Sequence, residues 1–96
     1  MKQMEGFEWD AAKAKANLKK HGVSFTAAVR VFEDTYRVEW LDTRNDYGEG
    51  RFVTVGEVND ELLSVAYTMR TDLIRIISAR RASKHEKEEY HGNRSL

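Results

Sequence analysis

The hydrophobic residues of this chain change their spacing near Asp34, from the period of a helix to the period of a strand. The residues that recur at three- and four-residue intervals before it are Phe25, Ala28, Val29 and Phe32. The residues that alternate with charged neighbours after it are Tyr36, Val38 and Trp40. The first set indicates one buried stripe of a helix, and the second is typical of a half-buried strand. Helices that come first and strands that follow predict an α+β domain.

Capping residues locate three helices. Asp10 is a favourable N-cap for a helix over Ala11–His21, and the glycine that follows suits the left-handed position at its end. Ser24 caps a second helix. A short third helix is expected to begin at Ser83, which has a capping-box glutamate three residues on, and to run to about residue 91. We expect the next glycine to end it and residues 91–96 to form a frayed tail.

Four strands are expected between the second and third helices, in an antiparallel meander. Their ranges are 36–40, 51–58, 62–70 and 73–80, with a mobile polar loop at 42–50. Residues 7–9 fit a short additional strand. The predicted architecture is therefore α+β, with two N-terminal helices packed on a four-stranded antiparallel sheet and a short C-terminal helix. We expect one domain over residues 1–96.

Composition limits the chemistry available to this chain. The 16 Lys and Arg residues equal the 16 Asp and Glu residues, so any contact with nucleic acid must be local. The absence of cysteine excludes disulfides and thiolate chemistry, and the three histidines lack metal-binding spacing, so we expect no cofactor and no metal ligand. No apolar run is long enough to span a bilayer, and residues 1–10 lack the apolar core of a signal peptide. We therefore expect a cytoplasmic protein with no membrane partner.

Four arginines lie within twelve residues, at Arg70, Arg75, Arg80 and Arg81. Guanidinium groups suit phosphate and carboxylate, so this cluster predicts an anion site. A two-residue turn would pair Thr68 with Arg75 across the hairpin. Both would lie on the sheet face away from the helices, and we expect that face to be exposed and to carry the function. Alternation sends Arg80 and Arg81 to opposite faces, so at most one of them joins a shared site. The alternative is that each arginine pairs with a nearby surface carboxylate.

Two further positions could transfer protons. His21 lies in the last turn of the first helix, where the dipole favours its protonated form. With Lys20, it is either a helix-end cation or an acid, base or phosphate contact. Glu49 and Arg51 are either a general base with its orienting partner or an exposed ion pair. Cleavage of RNA by its own 2′-hydroxyl group needs a base, a proton donor and cations, and arginines can supply the cations without a metal.

Four sequence segments, which together span most of residues 7 to 90, resemble a known family. They are WDAAKAKANLKKHGVSFTAAVRVFED, EGRFVTVGEV, LLSVAYTMR and IRIISARRASKHEKEEY. In this order and spacing they resemble the BrnT family of type II toxins. The resemblance implies a RelE-like fold and a ribonuclease toxin that cleaves RNA and inhibits translation and growth. It also implies neutralisation by a BrnA-like ribbon-helix-helix antitoxin, binding of operator DNA only through the antitoxin complex, and a toxin that can be dimeric within that complex.

The arginine pattern and the resemblance together predict the functional residues. The expected catalytic residues are His21, Glu49, Arg51, Arg70 and Arg80. The expected RNA-binding residues are Lys20, Thr68, Arg75, Ser78 and Arg81.

Two other functions are compatible with the sequence. One is a module of the same fold that binds RNA or a protein without cleaving RNA. The other is a regulator that binds DNA directly, and the glutamates of the third helix disfavour it because they would repel phosphate. Those residues are Glu86, Glu88 and Glu89.

Overall fold

A mixed sheet with helices on both faces forms the part of the chain that the structure describes. The structure, a computed structural model, describes residues 2–43, 48 and 50–95, with residues 2 and 3 described by their backbone alone. In chain order the elements are β1 (Lys2–Met4), β2 (Phe7–Trp9), α1 (Ala11–His21), α2 (Phe25–Val31), β3 (Val38–Leu41), β4 (Arg51–Val58), β5 (Glu61–Arg70), β6 (Leu73–Arg81) and α3 (Lys84–Arg94). The strand order across the sheet is β1-β2-β6-β5-β4-β3.

The α+β class is confirmed, but the prediction of a four-stranded, purely antiparallel sheet is wrong. β2 pairs in parallel with β6, placing Phe7 beside Ile74 and Glu8 beside Arg75. β1 then pairs antiparallel with β2 across a turn at Gly6, which has a φ of 82°. A parallel pair joins segments that are distant in sequence, so local periodicity does not reveal it.

Both ends of the first helix are confirmed. The Asp10 carboxylate accepts hydrogen bonds from the backbone N–H groups of Ala12 at 2.8 Å and Lys13 at 3.2 Å. The bond from Lys13, followed by the bond from Ala12, lowers the pKa of Asp10. Gly22 ends the helix with a φ of 71°, and Ser24 caps α2 as predicted.

The third helix begins as predicted and ends later. Its capping box is present, but it continues to Arg94, so the predicted end at Gly92 is wrong. The Asn93 side chain donates a hydrogen bond of 3.1 Å to the Tyr36 carbonyl. The Arg94 guanidinium carbon lies 5.2 Å from the centre of the Tyr36 ring. These contacts hold the last turn in place, which explains why the helix passes through the glycine.

Hydrophobic residues pack on both faces of the sheet. We call these the α1/α2 face, which contains Leu63 and Val65, and the α3 face, where Tyr90 packs with Val53 and Val55. The α3 face was expected to be exposed, and this is wrong where α3 covers it. β3 and β4 direct apolar side chains to that face. The helix α3 packs there because it removes these side chains from water.

The hairpin between β5 and β6 has the predicted register. Thr68 lies opposite Arg75, and Arg70 lies opposite Leu73. Thr71 in the turn has a φ of 56°, in the left-handed region that a tight turn requires.

A β-bulge at Ile77 then changes the alternation of β6. The pairs on its two sides are Tyr67 with Ile76 and Ala66 with Ser78. Strict alternation would place Ser78 and Arg80 on the face opposite to Arg75. The extra residue restores them to the same face.

A side chain from α1 completes the hydrogen bonding of β6. The Asn17 amide donates to the carbonyl oxygens of Ala79 at 2.8 Å and Val23 at 2.9 Å, and its oxygen accepts from the Ala79 N–H at 3.1 Å. β2 pairs with β6 only at Ile74 and Arg75, so Ala79 lies beyond the end of that strand. Asn17 therefore takes the place of a neighbouring strand beside the residue that precedes Arg80.

Candidate functional site

Six of the predicted residues lie on the α3 face of three adjacent strands. They are Arg51 of β4, Thr68 and Arg70 of β5, and Arg75, Ser78 and Arg80 of β6. Arg51, Thr68 and Arg75 form one row across the sheet, with neighbouring strands about 4.8 Å apart. We call these six residues the arginine face.

Thr68 lies at the centre of the arginine face and is only 2 % exposed. Its hydroxyl donates a hydrogen bond to the carbonyl of Gly50, the residue before Arg51. The Asp42 N–H donates a bond of 2.7 Å to the Arg51 carbonyl from the other side. These two hydrogen bonds fix the backbone on either side of Arg51. Glu49, the other residue predicted in this segment, lies outside the described residues.

The arginines of the hairpin differ in their surroundings. An Arg75 guanidinium nitrogen lies 3.3 Å from the Glu8 carboxylate, in an ion pair that is largely shielded from solvent. Arg70 is exposed near the turn, and it makes no ion pair with any residue in the described ranges. Its charge is therefore directed to solvent, where an anionic ligand can reach it.

Arg80 is held by a buried carboxylate. Its two terminal nitrogens donate to Glu86 at 2.8 and 3.0 Å, and Glu86 also accepts from the Ser83 N–H at 2.8 Å and the Ser64 hydroxyl at 3.1 Å. Burial raises the pKa of Glu86, but the bonds from Arg80, Ser83 and Ser64 outweigh that effect and lower it below its usual value. One Arg80 nitrogen also donates to the Arg81 carbonyl at 3.2 Å. Two of the five guanidinium N–H donors therefore remain for a ligand.

His21, Lys20 and Arg81 do not join the arginine face. The Arg81 guanidinium donates to the His21 carbonyl at 3.4 Å and pairs with Glu61 at 2.7 Å. Arg81 lies opposite Leu63, so it points to the α1/α2 face. The predicted convergence of His21 with Arg51, Arg70 and Arg80 is thus not found, because consecutive strand residues point to opposite faces and His21 accompanies Arg81.

Two neighbouring grooves, one of them lined by Arg80, contain residues to which the sequence assigned no function. The smaller groove, of about 330 Å³, is lined by Arg80, Asp42, Trp40 and His85 among others. The larger groove, of about 810 Å³, lies between β3 and α3 and shares Trp40 and His85 with the first. The sequence signal that could have indicated His85 was its position in the first turn of α3, the helix that directly follows β6 and Arg80.

The described ranges contain no candidate metal-binding cluster and no candidate membrane-spanning helix. No three His, Asp or Glu side chains among these residues lie close enough together to hold a metal ion. None of the helices within 2–43 and 50–95 is long and apolar enough to cross a bilayer.

The arginine face brings guanidinium groups from three strands to one surface. Guanidinium N–H donors can bind a phosphate and stabilise negative charge that develops on it. The family model described as the ribonuclease toxin BrnT of type II toxin-antitoxin systems matches residues 9–86. No curated protein matches this sequence.

Proposed function

Since this chain belongs to the BrnT family of ribonuclease toxins of type II toxin-antitoxin systems, we propose that it is an endoribonuclease that cleaves RNA without a metal ion. The 2′-oxygen of a ribose attacks the adjacent phosphorus, and the bond to the 5′-oxygen breaks. The products are a 2′,3′-cyclic phosphate and a 5′-hydroxyl group. The proposal explains how a chain of zero formal net charge can bind RNA, because the cations need to be concentrated only at one surface.

The observation that carries this proposal is the arginine face itself. Arg51, Arg70 and Arg80 reach one surface from three different strands, which is rigid support for guanidinium groups. Where these guanidinium groups meet the phosphate, their N–H donors would stabilise the negative charge that develops on its oxygens. We assign Arg75 and Ser78 to binding of the RNA backbone, and Thr68 to positioning of the strand that carries Arg51.

The proton acceptor for the 2′-hydroxyl group is a separate part of the proposal. Glu49 is two residues before Arg51, and a carboxylate there would be close in sequence to the arginine face. We give Lys20, His21 and Arg81 no part in the cleavage step, because their surroundings are on the α1/α2 face.

The protein partner follows from membership of a type II system, in which a protein antitoxin neutralises the toxin. We propose that this antitoxin is a BrnA-like ribbon-helix-helix protein, that two toxin copies can occupy one complex, and that operator DNA is bound only through the complex. Purified toxin alone should leave operator DNA unshifted in a gel, while the complex with the neighbouring gene product should shift it.

The reaction is tested with purified toxin, free of antitoxin, and RNA in the presence of a chelator. We expect cleavage to continue in chelator and to leave 2′,3′-cyclic phosphate ends. A matched oligonucleotide with a single 2′-deoxyribose at the cleaved position should remain intact. Cleavage of that substrate, or loss of all activity in chelator, would overturn the proposed mechanism. Binding of RNA without any cleavage would instead favour a non-catalytic module.

A further inference from the structure

His85 has no assigned role, although it lies beside Arg80. His85 and Trp40 line both the groove that contains Arg80 and the larger groove next to it. The His85 side chain is 77 % exposed. An imidazole this exposed contributes little to the stability of α3, so its place where two grooves meet suggests a role other than packing.

The backbone that carries His85 is fixed relative to Arg80. Ser83 and Glu86 form the capping box at the start of α3, on either side of His85 in sequence. The same Glu86 binds Arg80 with two hydrogen bonds and accepts a third bond from Ser64 of β5. The first turn of α3 is therefore tied to the strands of the arginine face, so the backbone of His85 has a defined location beside Arg80.

The groove has the dimensions and the chemistry of a nucleotide site. Its 330 Å³ lies within the range of small-ligand sites, which begins at about 300 Å³. Trp40 offers an aromatic surface for an unstacked base, as single-stranded RNA sites commonly do. Arg80 keeps two N–H donors that can meet the phosphate. The charged groups that line the two grooves are Arg37, Glu39, Asp42, Arg80, Glu86 and Glu89.

Glu89 is placed to orient the imidazole. Its Oε1 atom lies 3.7 Å from the Nε2 atom of His85, one helical turn away. A carboxylate beside one ring nitrogen leaves the other nitrogen, Nδ1, for the substrate. The same division of roles between a carboxylate and an imidazole occurs in hydrolases that transfer protons through histidine.

Resting on the proposed ribonuclease function, we propose that His85 is the general acid of the cleavage reaction. The 2′-oxygen bonds to phosphorus and releases its proton to the base or to water. As the bond from phosphorus to the 5′-oxygen breaks, His85 Nδ1 gives its proton to that oxygen. The products are the cyclic phosphate and the 5′-hydroxyl group, and His85 recovers a proton from water. Histidine suits this step because it exchanges protons near neutral pH.

The test compares two forms of one RNA oligonucleotide that contains a site cut by the wild type. One form has the natural 5′-oxygen at the cleaved linkage, and the other has sulfur in its place, which departs as a thiolate without a proton. We expect His85→Ala to slow cleavage of the oxygen form by about 100-fold or more. The variant should cleave the sulfur form at close to the wild-type rate.

The matched control is His91→Ala, which removes an exposed histidine from the same helix and should leave both rates unchanged. Equal slowing of both substrates by His85→Ala would overturn the assignment as an acid, as would no slowing of either. Thermal unfolding of the His85 variant, expected at the wild-type temperature, shows whether folding is affected. Failure of the wild type to cut any RNA would overturn the proposed function itself, whereas the results above bear on His85 alone.

Discussion

Replacing Asn17 with alanine removes the side chain that stands in for a strand at the edge of β6. Three hydrogen bonds are lost, two with Ala79 and one with Val23, at a site where Asn17 is 8 % exposed. Each hydrogen bond contributes about 1 kcal/mol net to the free energy of unfolding. The higher helix propensity of alanine offsets roughly half a kcal/mol of the loss. We therefore expect the free energy of unfolding to fall by about 2–3 kcal/mol, out of the roughly 5–15 kcal/mol typical of a domain.

Urea denaturation followed by circular dichroism measures this loss. Asn93→Ala is the matched control, because it removes one hydrogen bond, to the Tyr36 carbonyl, at an exposed site and should cost less than about 1 kcal/mol. Asn17→Asp keeps the acceptor but directs a carboxylate at two carbonyl oxygens, so it should be at least as destabilised as Asn17→Ala. If Asn17→Ala loses no more stability than the control, water replaces the amide and Asn17 does not stabilise the edge of β6.

Two further predictions concern the Glu86 carboxylate. Glu86→Gln removes the charge that Arg80 binds, and we expect urea denaturation at pH 7 to show a loss of about 1–3 kcal/mol, discounted because Arg80 is partly exposed. The second prediction concerns pH. The pKa of Glu86 is lower in the folded chain than in the unfolded chain. The stability that the Glu86 carboxylate contributes is therefore present above about pH 4.3 and is lost as the pH falls below that value. The difference in stability between wild type and Glu86→Gln should therefore be constant between about pH 6 and 8 and shrink below about pH 4; a constant difference at all pH values would contradict this assignment.

Local signals in the sequence predicted much of this fold. Asp10 and Gly22 bound the first helix because a cap and a left-handed glycine act within one turn of the chain. The pairing of Thr68 with Arg75 followed from the length of one turn. These features depend on neighbours in sequence, which periodicity and residue type report directly.

The features that could not be predicted depend on residues far apart in the chain. The parallel pairing of β2 with β6 joins Glu8 to Arg75. The bulge at Ile77 depends on the fit of β6 to β5 and has no residue signature of its own. It decides the site, because without it Arg80 would face α1 and α2, away from Arg75. Asn17 likewise reads as an ordinary helix residue until β6 lies beside it.

If the arginine face performs the cleavage, the cleavage rates of Arg70→Ala and Arg30→Ala must differ. Arg70 is exposed on the arginine face, whereas Arg30 is exposed on α2, so both changes remove one exposed guanidinium from the surface. We expect Arg70→Ala to slow cleavage of the same RNA by about 100-fold, the usual effect of losing one donor to a transition-state charge, and Arg30→Ala to cleave at the wild-type rate. Equal rates for the two variants would contradict this role of the arginine face.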